Sequence, residues 1–185
     1  MPNYQLVNPH IEGEFKSVVS DKTPQDAAQK IWSRLSGHLT NNVPKFGFTL
    51  EQVGNKKLHH FVVKETVDDG VVDYKLIDHD VSLSDNEIKA LREKIAFFRR
   101  KMSGGKRKKR YHGADDEDDD DEIDLDDSTE VYSKIMRNHF VHQSTPIVYF
   151  WYNPLVYRLD YLYVPTFVET VMPYIQIDLS SAFFP

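Results

Sequence analysis

A chain of 185 residues with 40% hydrophobic side chains can bury the core of one ordinary domain or two small ones, which excludes a wholly disordered protein. With no cysteine, it can build no disulfide, thiolate metal site or cysteine nucleophile. The net charge of -6 hides a split: 8 basic residues crowd into Arg99–Arg110 and 11 acidic ones into Asp115–Asp127, leaving a mildly acidic body of 15 basic against 18 acidic residues, where a protein that neutralises phosphates is normally basic.

The first stretch, MPNYQLVNPHIEGEF, lacks a basic start followed by an apolar core, so no signal peptide is expected. A strand is predicted near Ile11 to Val19. Asp21 to Glu65 then reads as a capped helix and two strands. Thr23 can accept a helix amide, Pro24 suits the first helical position because its missing N–H would be an orphan there, and Asp26 faces the positive end of the dipole. Ala27, Ala28, Ile31, Trp32 and Leu35 form one apolar stripe, closed by Gly37. Phe46, Phe48 and Leu50, then Leu58, His60 and Val62, alternate with other residues across Val53-Gly54-Asn55, the pattern of half-buried strands either side of a turn.

A further strand is predicted over Val71 to Ile77, after the turn at Asp68-Asp69-Gly70. Ser84-Asp85-Asn86-Glu87 is a capping box opening a second helix, with Ile88, Leu91, Ile95, Phe98 and Met102 on one edge for packing against the sheet. Ser103-Gly104-Gly105 breaks that helix. The segment from 103 to 128 has no apolar periodicity and reads as a disordered charged linker, each like-charge block repelling itself. Beyond it, a short helix through Val131, Ile135 and Met136 gives way to an aromatic-rich segment with strands over Ile147 to Tyr152 and Leu159 to Val164, interrupted by Asn153-Pro154. Pro165 and Pro173 limit further regular structure. The most apolar stretch, near Ile147 to Val156, is too short for a transmembrane helix, which needs about 20 continuous apolar residues.

The chemistry-bearing residues point away from catalysis. No nucleophile elbow, phosphate-binding Walker loop, dinucleotide glycine fingerprint or paired-histidine zinc motif occurs. Most carboxylates sit in the acidic run, without an apolar pocket to raise one into a general acid's range. His59 and His60 are adjacent on a strand and point to opposite faces, and His139 and His142 lack further ligands, so neither a metal nor a cofactor is expected. Arg107, Lys108, Lys109 and Arg110 can meet phosphate, but the adjoining acidic run can pair with them and repel it. Tyr149, Trp151, Tyr157, Tyr161, Tyr163, Phe183 and Phe184 are the expected interface anchors, since Trp and Tyr bury large areas while their polar ends still find partners.

Thr23, Pro24, Ala27, Ala28 and Lys30, followed by Lys56, Lys57, His59 and Phe61, resemble the MC1-like family of archaeal chromosomal proteins and related domains in nucleocytoplasmic large DNA viruses. The aromatic, proline-punctuated C-terminal segment resembles the ends of minor capsid and other structural proteins of such viruses. These resemblances imply an MC1-like module at 1–102, the linker at 103–128 and an assembly segment at 129–185. The expected fold is α+β: a small antiparallel sheet with two helices, then the linker and a β or irregular C-terminal segment. They further imply a non-enzymatic component of a large DNA virus particle, found in the virion and in host cytoplasm or nucleus during assembly, whose partners are other capsid proteins. The alternative that the chromosomal resemblance implies is DNA compaction through Lys22, Lys30, Lys56, Lys57 and Lys64. The acidic stretch TVDDGVVDYKLIDHD stands where a basic arm would be needed.

Overall fold

In the computed structural model, residues 1–40, 43–68, 71–102 and 145–179 are described. The architecture follows from Lys45–Gln52 (β4), whose two faces are both buried: Phe46, Phe48 and Leu50 on one, Gly47, Thr49 and Glu51 on the other. A strand sealed on both faces belongs at a sheet centre. β4 pairs antiparallel with Asn3–Asn8 (β1) on one side and Lys57–Asp68 (β5) on the other. Val18–Ser20 (β3) extends the sheet beyond β1, and Val71–Asp78 (β6) beyond β5, giving the five-stranded order β3-β1-β4-β5-β6. A smaller sheet joins His10–Glu12 (β2), Tyr149–Tyr152 (β7) and Tyr174–Ile177 (β8), with β7 in the middle.

Pro24–Ser36 (α1) forms where the sequence places it. Thr23 Oγ1 accepts the Asp26 amide at 3.1 Å, and the stripe Ala27, Ala28, Ile31, Trp32, Leu35 is buried. The Trp32 ring lies 5.8 Å from Phe46 and 5.3 Å from Tyr74, so α1 covers the Phe46 face of the large sheet. Asp85–Met102 (α2) opens with the expected box: the Ser84 amide donates to Glu87 Oε2 at 2.6 Å and the Glu87 amide to Ser84 Oγ at 3.4 Å. Leu91, Ile95 and Phe98 are buried, with the Phe98 ring 4.2 Å from His10 and 5.1 Å from Trp151. The helix therefore packs on the smaller sheet, and Arg99 near its end donates to Glu51 of β4 at 2.7 Å.

The α+β reading holds, with an antiparallel main sheet and two helices. Several details differ from expectation. The N-terminal strand near Ile11 to Val19 is replaced by β1, β2 and β3, because Gly13, at φ +131°, turns the chain against Pro146, where any Cβ would meet the carbonyl oxygen at 2.6 Å. The β4–β5 turn falls where expected, with Lys56 in the left-handed conformation at φ 59°. Leu159 to Val164 forms no strand; after the one-turn 3-10 helix Pro154–Tyr157, Arg158 adopts a left-handed conformation that throws the chain across the large sheet, and the strand falls instead at β8.

The larger correction concerns organisation. The segment expected to stand apart for assembly supplies β7 and β8 to the same core as the first hundred residues: β7 pairs with β2 through His10↔Trp151, Ile11↔Phe150 and Glu12↔Tyr149. The expected linker at 103–128 and the helix through Val131 lie outside the described residues.

Candidate functional site

The sheet face opposite α1 carries the polar side chains, and the C-terminal segment closes over it. Tyr157 touches Gly47 directly, since a Cβ at residue 47 would stand 2.4 Å from the tyrosine ring carbons. Tyr157 Oη donates to the Asn8 carbonyl at 3.1 Å, and Thr49 Oγ1 lies 2.8 Å from both Tyr157 Oη and His60 Nδ1. With the tyrosine proton committed to Asn8, the threonine hydroxyl donates to Tyr157 and the neutral imidazole donates from Nδ1, a chain with one direction: His60, Thr49, Tyr157, Asn8.

The rest of the clamp ties the same segment down. Tyr152 Oη donates to the Gly47 carbonyl at 3.0 Å, Asn8 Nδ2 to the Asn153 carbonyl at 2.8 Å, and His79 Nε2 to the Tyr157 carbonyl at 3.0 Å. Arg158 reaches Glu87 at 3.2 Å, joining the clamp to the start of α2. Burial pushes His60 down to about 4, with His79 and His59 adding to the fall. Burial drives the Tyr152 and Tyr157 hydroxyls well above the usual phenol range. Every donor here faces an acceptor in the chain, so the arrangement locks two distant segments together.

Past the clamp, residues 159–173 run over the surface as a strap held at intervals. Lys45 Nζ pairs with Asp160 at 3.2 Å, the Thr40 amide donates to the Thr166 carbonyl at 2.9 Å, the Val168 amide to the His38 carbonyl at 3.0 Å, and His38 pairs with Glu169 at 2.6 Å. Pro165, Phe167 and Pro173 turn inward. Tyr161, Leu162, Val164, Val168, Val171 and Met172 face solvent, from 39% exposed at Val171 to 60% at Val168. Six exposed apolar side chains thus fall within twelve residues of the strap.

The expected anchors divide accordingly. Tyr149, Trp151 and Tyr157 are at most 1% exposed and spend their rings inside the chain, so they are core rather than interface; the alternation that exposes one face of an ordinary strand fails in β7, which is covered on both sides. Tyr161 is exposed and Tyr163 half-buried, while Phe183 and Phe184 lie outside the described residues. Sequence reasoning missed Leu162, Val164, Val168, Val171 and Met172; the signal was present in Pro165 and Pro173, which forbid a regular strand and so break the alternation that would hide them.

The lysines expected at phosphate are not brought together. Lys30 pairs with Asp21 at 2.6 Å and Lys56 with Glu51 at 3.3 Å. Lys57 and Lys64 face opposite sides of β5, and Lys22 lies beyond β3 near the start of α1; Arg107, Lys108, Lys109 and Arg110 are outside the described residues. What the fold does assemble is a different row: Lys45, Lys64 and Lys75 stand directly opposite one another on β4, β5 and β6. Among the described residues, no group of histidines and carboxylates is placed to hold a metal ion, and no helix is long and apolar enough to cross a membrane.

Comparison with known proteins gives one informative likeness. The chain is 34% identical over 94 residues to an uncharacterized protein of Acanthamoeba polyphaga mimivirus, a match covering 50% of this chain and 52% of that one. The chain thus spans about half the length of this giant-virus relative, and the likeness points to a large DNA virus as its origin. No protein-family model matches the chain, and no solved structure matches it.

Proposed function

We propose that this chain is a non-catalytic structural component of a large DNA virus particle, a minor capsid or internal virion protein that works by contact with other virion proteins. The observation that carries the reading is the strap, where six apolar side chains are held outward by ion pairs and backbone hydrogen bonds rather than folded into the core. An apolar surface maintained in this way is suited to burial against a neighbour. The giant-virus relative supports the setting. The MC1-like resemblance around α1, β4 and β5 is kept as part of this proposal, as the origin of the module that carries the strap.

A second reading, nucleic-acid contact, is favoured by the row Lys45, Lys64, Lys75, since like charges placed directly opposite on neighbouring strands repel and an anion would relieve them. The test is the same pair of proteins in two assays. Leu162→Asp with Val168→Asp should leave the chain folded and abolish its incorporation into particles, while Lys64→Glu with Lys75→Glu should leave incorporation unchanged. Normal incorporation of the strap variant, together with a salt-sensitive shift of duplex DNA that the lysine variant loses, would replace the structural reading by the nucleic-acid one.

A further inference from the structure

β6 is the outermost strand of the large sheet, eight residues long, and among the described residues it pairs only with β5. Its open edge can be read residue by residue. The His79 amide donates to the His60 carbonyl at 2.9 Å, and stepping back in twos keeps the backbone groups of Ile77, Lys75 and Asp73 turned toward β5. Val72, Tyr74 and Leu76 therefore turn their N–H and C=O groups outward. Tyr74 bears this out: its amide donates at 2.8 Å to the carboxylate of its own neighbour, Asp73, rather than to a strand.

The sequence along that edge, Val72-Asp73-Tyr74-Lys75-Leu76, is complementary to itself when reversed. We propose that two copies of this chain join through β6, antiparallel, about a two-fold axis at Tyr74, so that the two five-stranded sheets become one of ten strands. In that register Tyr74 meets the partner's Tyr74 as a hydrogen-bonded pair, matching the outward backbone groups. Val72 meets the partner's Leu76, and Asp73 meets the partner's Lys75. The two charged pairs fall at the non-hydrogen-bonded positions, where opposite side chains stand closest.

Three features of the single chain are explained together. Lys64 and Lys75 stand opposite one another, and among the described residues neither has a carboxylate within ion-pair distance; the partner's Asp73 supplies one at the end of that row. Val72, 49% exposed on the same face as the Tyr74–Trp32 contact, gains an apolar neighbour. Natural edge strands are usually short or bulged to prevent such pairing, whereas β6 is long and pairs with β5 over its whole length without a register shift. The two neighbouring registers spoil the charge match, since a two-fold axis at Asp73 or at Lys75 sets like charges against each other. The pairing is isologous, so it closes at two copies, and it does not depend on the particle role proposed above.

Charge exchange tests it on the full chain, since Asp73 and Lys75 are both exposed and their replacement leaves the core intact. Sedimentation equilibrium should find wild type dimeric. Lys75→Asp alone sets four carboxylates together and Asp73→Lys alone four ammonium groups, so each should weaken the dimer by about tenfold or more. Mixing the two single variants should restore a dimer containing one of each, and the double exchange Asp73→Lys with Lys75→Asp should restore the homodimer. A wild-type chain that stays monomeric at about 100 µM, single variants as dimeric as wild type, or a failure of the mixture to associate would each overturn the proposal.

Discussion

His60 shows how one buried side chain sets a pH limit. Its imidazole is neutral in the folded chain, and its folded value of about 4 lies below the ordinary histidine value of 6.5 because burial disfavours the cation, with His79 and His59 pressing the same way and Asp78 and Asp80 opposing. A depressed value means that the unfolded chain binds the proton more tightly, so the contribution is intact above about pH 6.5 and is lost as pH falls toward about 4. Its size is on the order of 3 kcal/mol. Urea midpoints measured from pH 7 to pH 4 should fall for wild type and fall distinctly less for His60→Gln. Equal slopes would mean that the proton enters without disturbing the Thr49–Tyr157 chain.

Between elements, β4 packs tightly on the turn Pro154–Tyr157 at Gly47. Gly47→Ala would push a methyl group into the Tyr157 ring and shift the clamp, costing about 1–3 kcal/mol as an overpacked core site. Thermal unfolding checks it, and a pairing of Gly47→Ala with Tyr157→Leu should recover part of the loss. Both helices and β4 to β6 were legible in the sequence because each is specified locally: Thr23 and Ser84 cap with their own neighbours, and the apolar spacing of α1 and α2 needs nothing distant. β7 was legible too, as the strand expected over Ile147 to Tyr152, but β2 and β8 were not, because a three-residue strand such as His10–Glu12 carries no periodicity and exists only through its pairing with Tyr149–Tyr152. The candidate site suffered for the same reason. Aromatic density identified Tyr149, Trp151 and Tyr157 as sticky, but whether a sticky residue meets its own chain or another is decided by contacts more than a hundred positions away.

For the whole molecule, the shared core makes the two ends of the described chain interdependent. Removing residues 145–185 would strip β7 from β2, uncover Gly47 and Thr49, and leave Phe98 of α2 without Trp151. The truncated chain should therefore lose its cooperative thermal transition and bind a hydrophobic dye, rather than remain as a folded module. A sharp transition near that of the full chain would show that α1 and the five-stranded sheet suffice alone.

The same pairing of β2 with β7 bears on how the protein is made. His10 leaves the ribosome about 140 residues before its strand neighbour Trp151, and at roughly 5–20 residues per second that delay lasts on the order of ten seconds. For roughly the last third of it, once Phe98 has emerged, the nascent chain leaves Ile11, Phe98 and the Gly47–Thr49 face of β4 without their cover. Such a surface attracts chaperones or other nascent copies, so slower translation should lower the soluble yield and added chaperone should raise it.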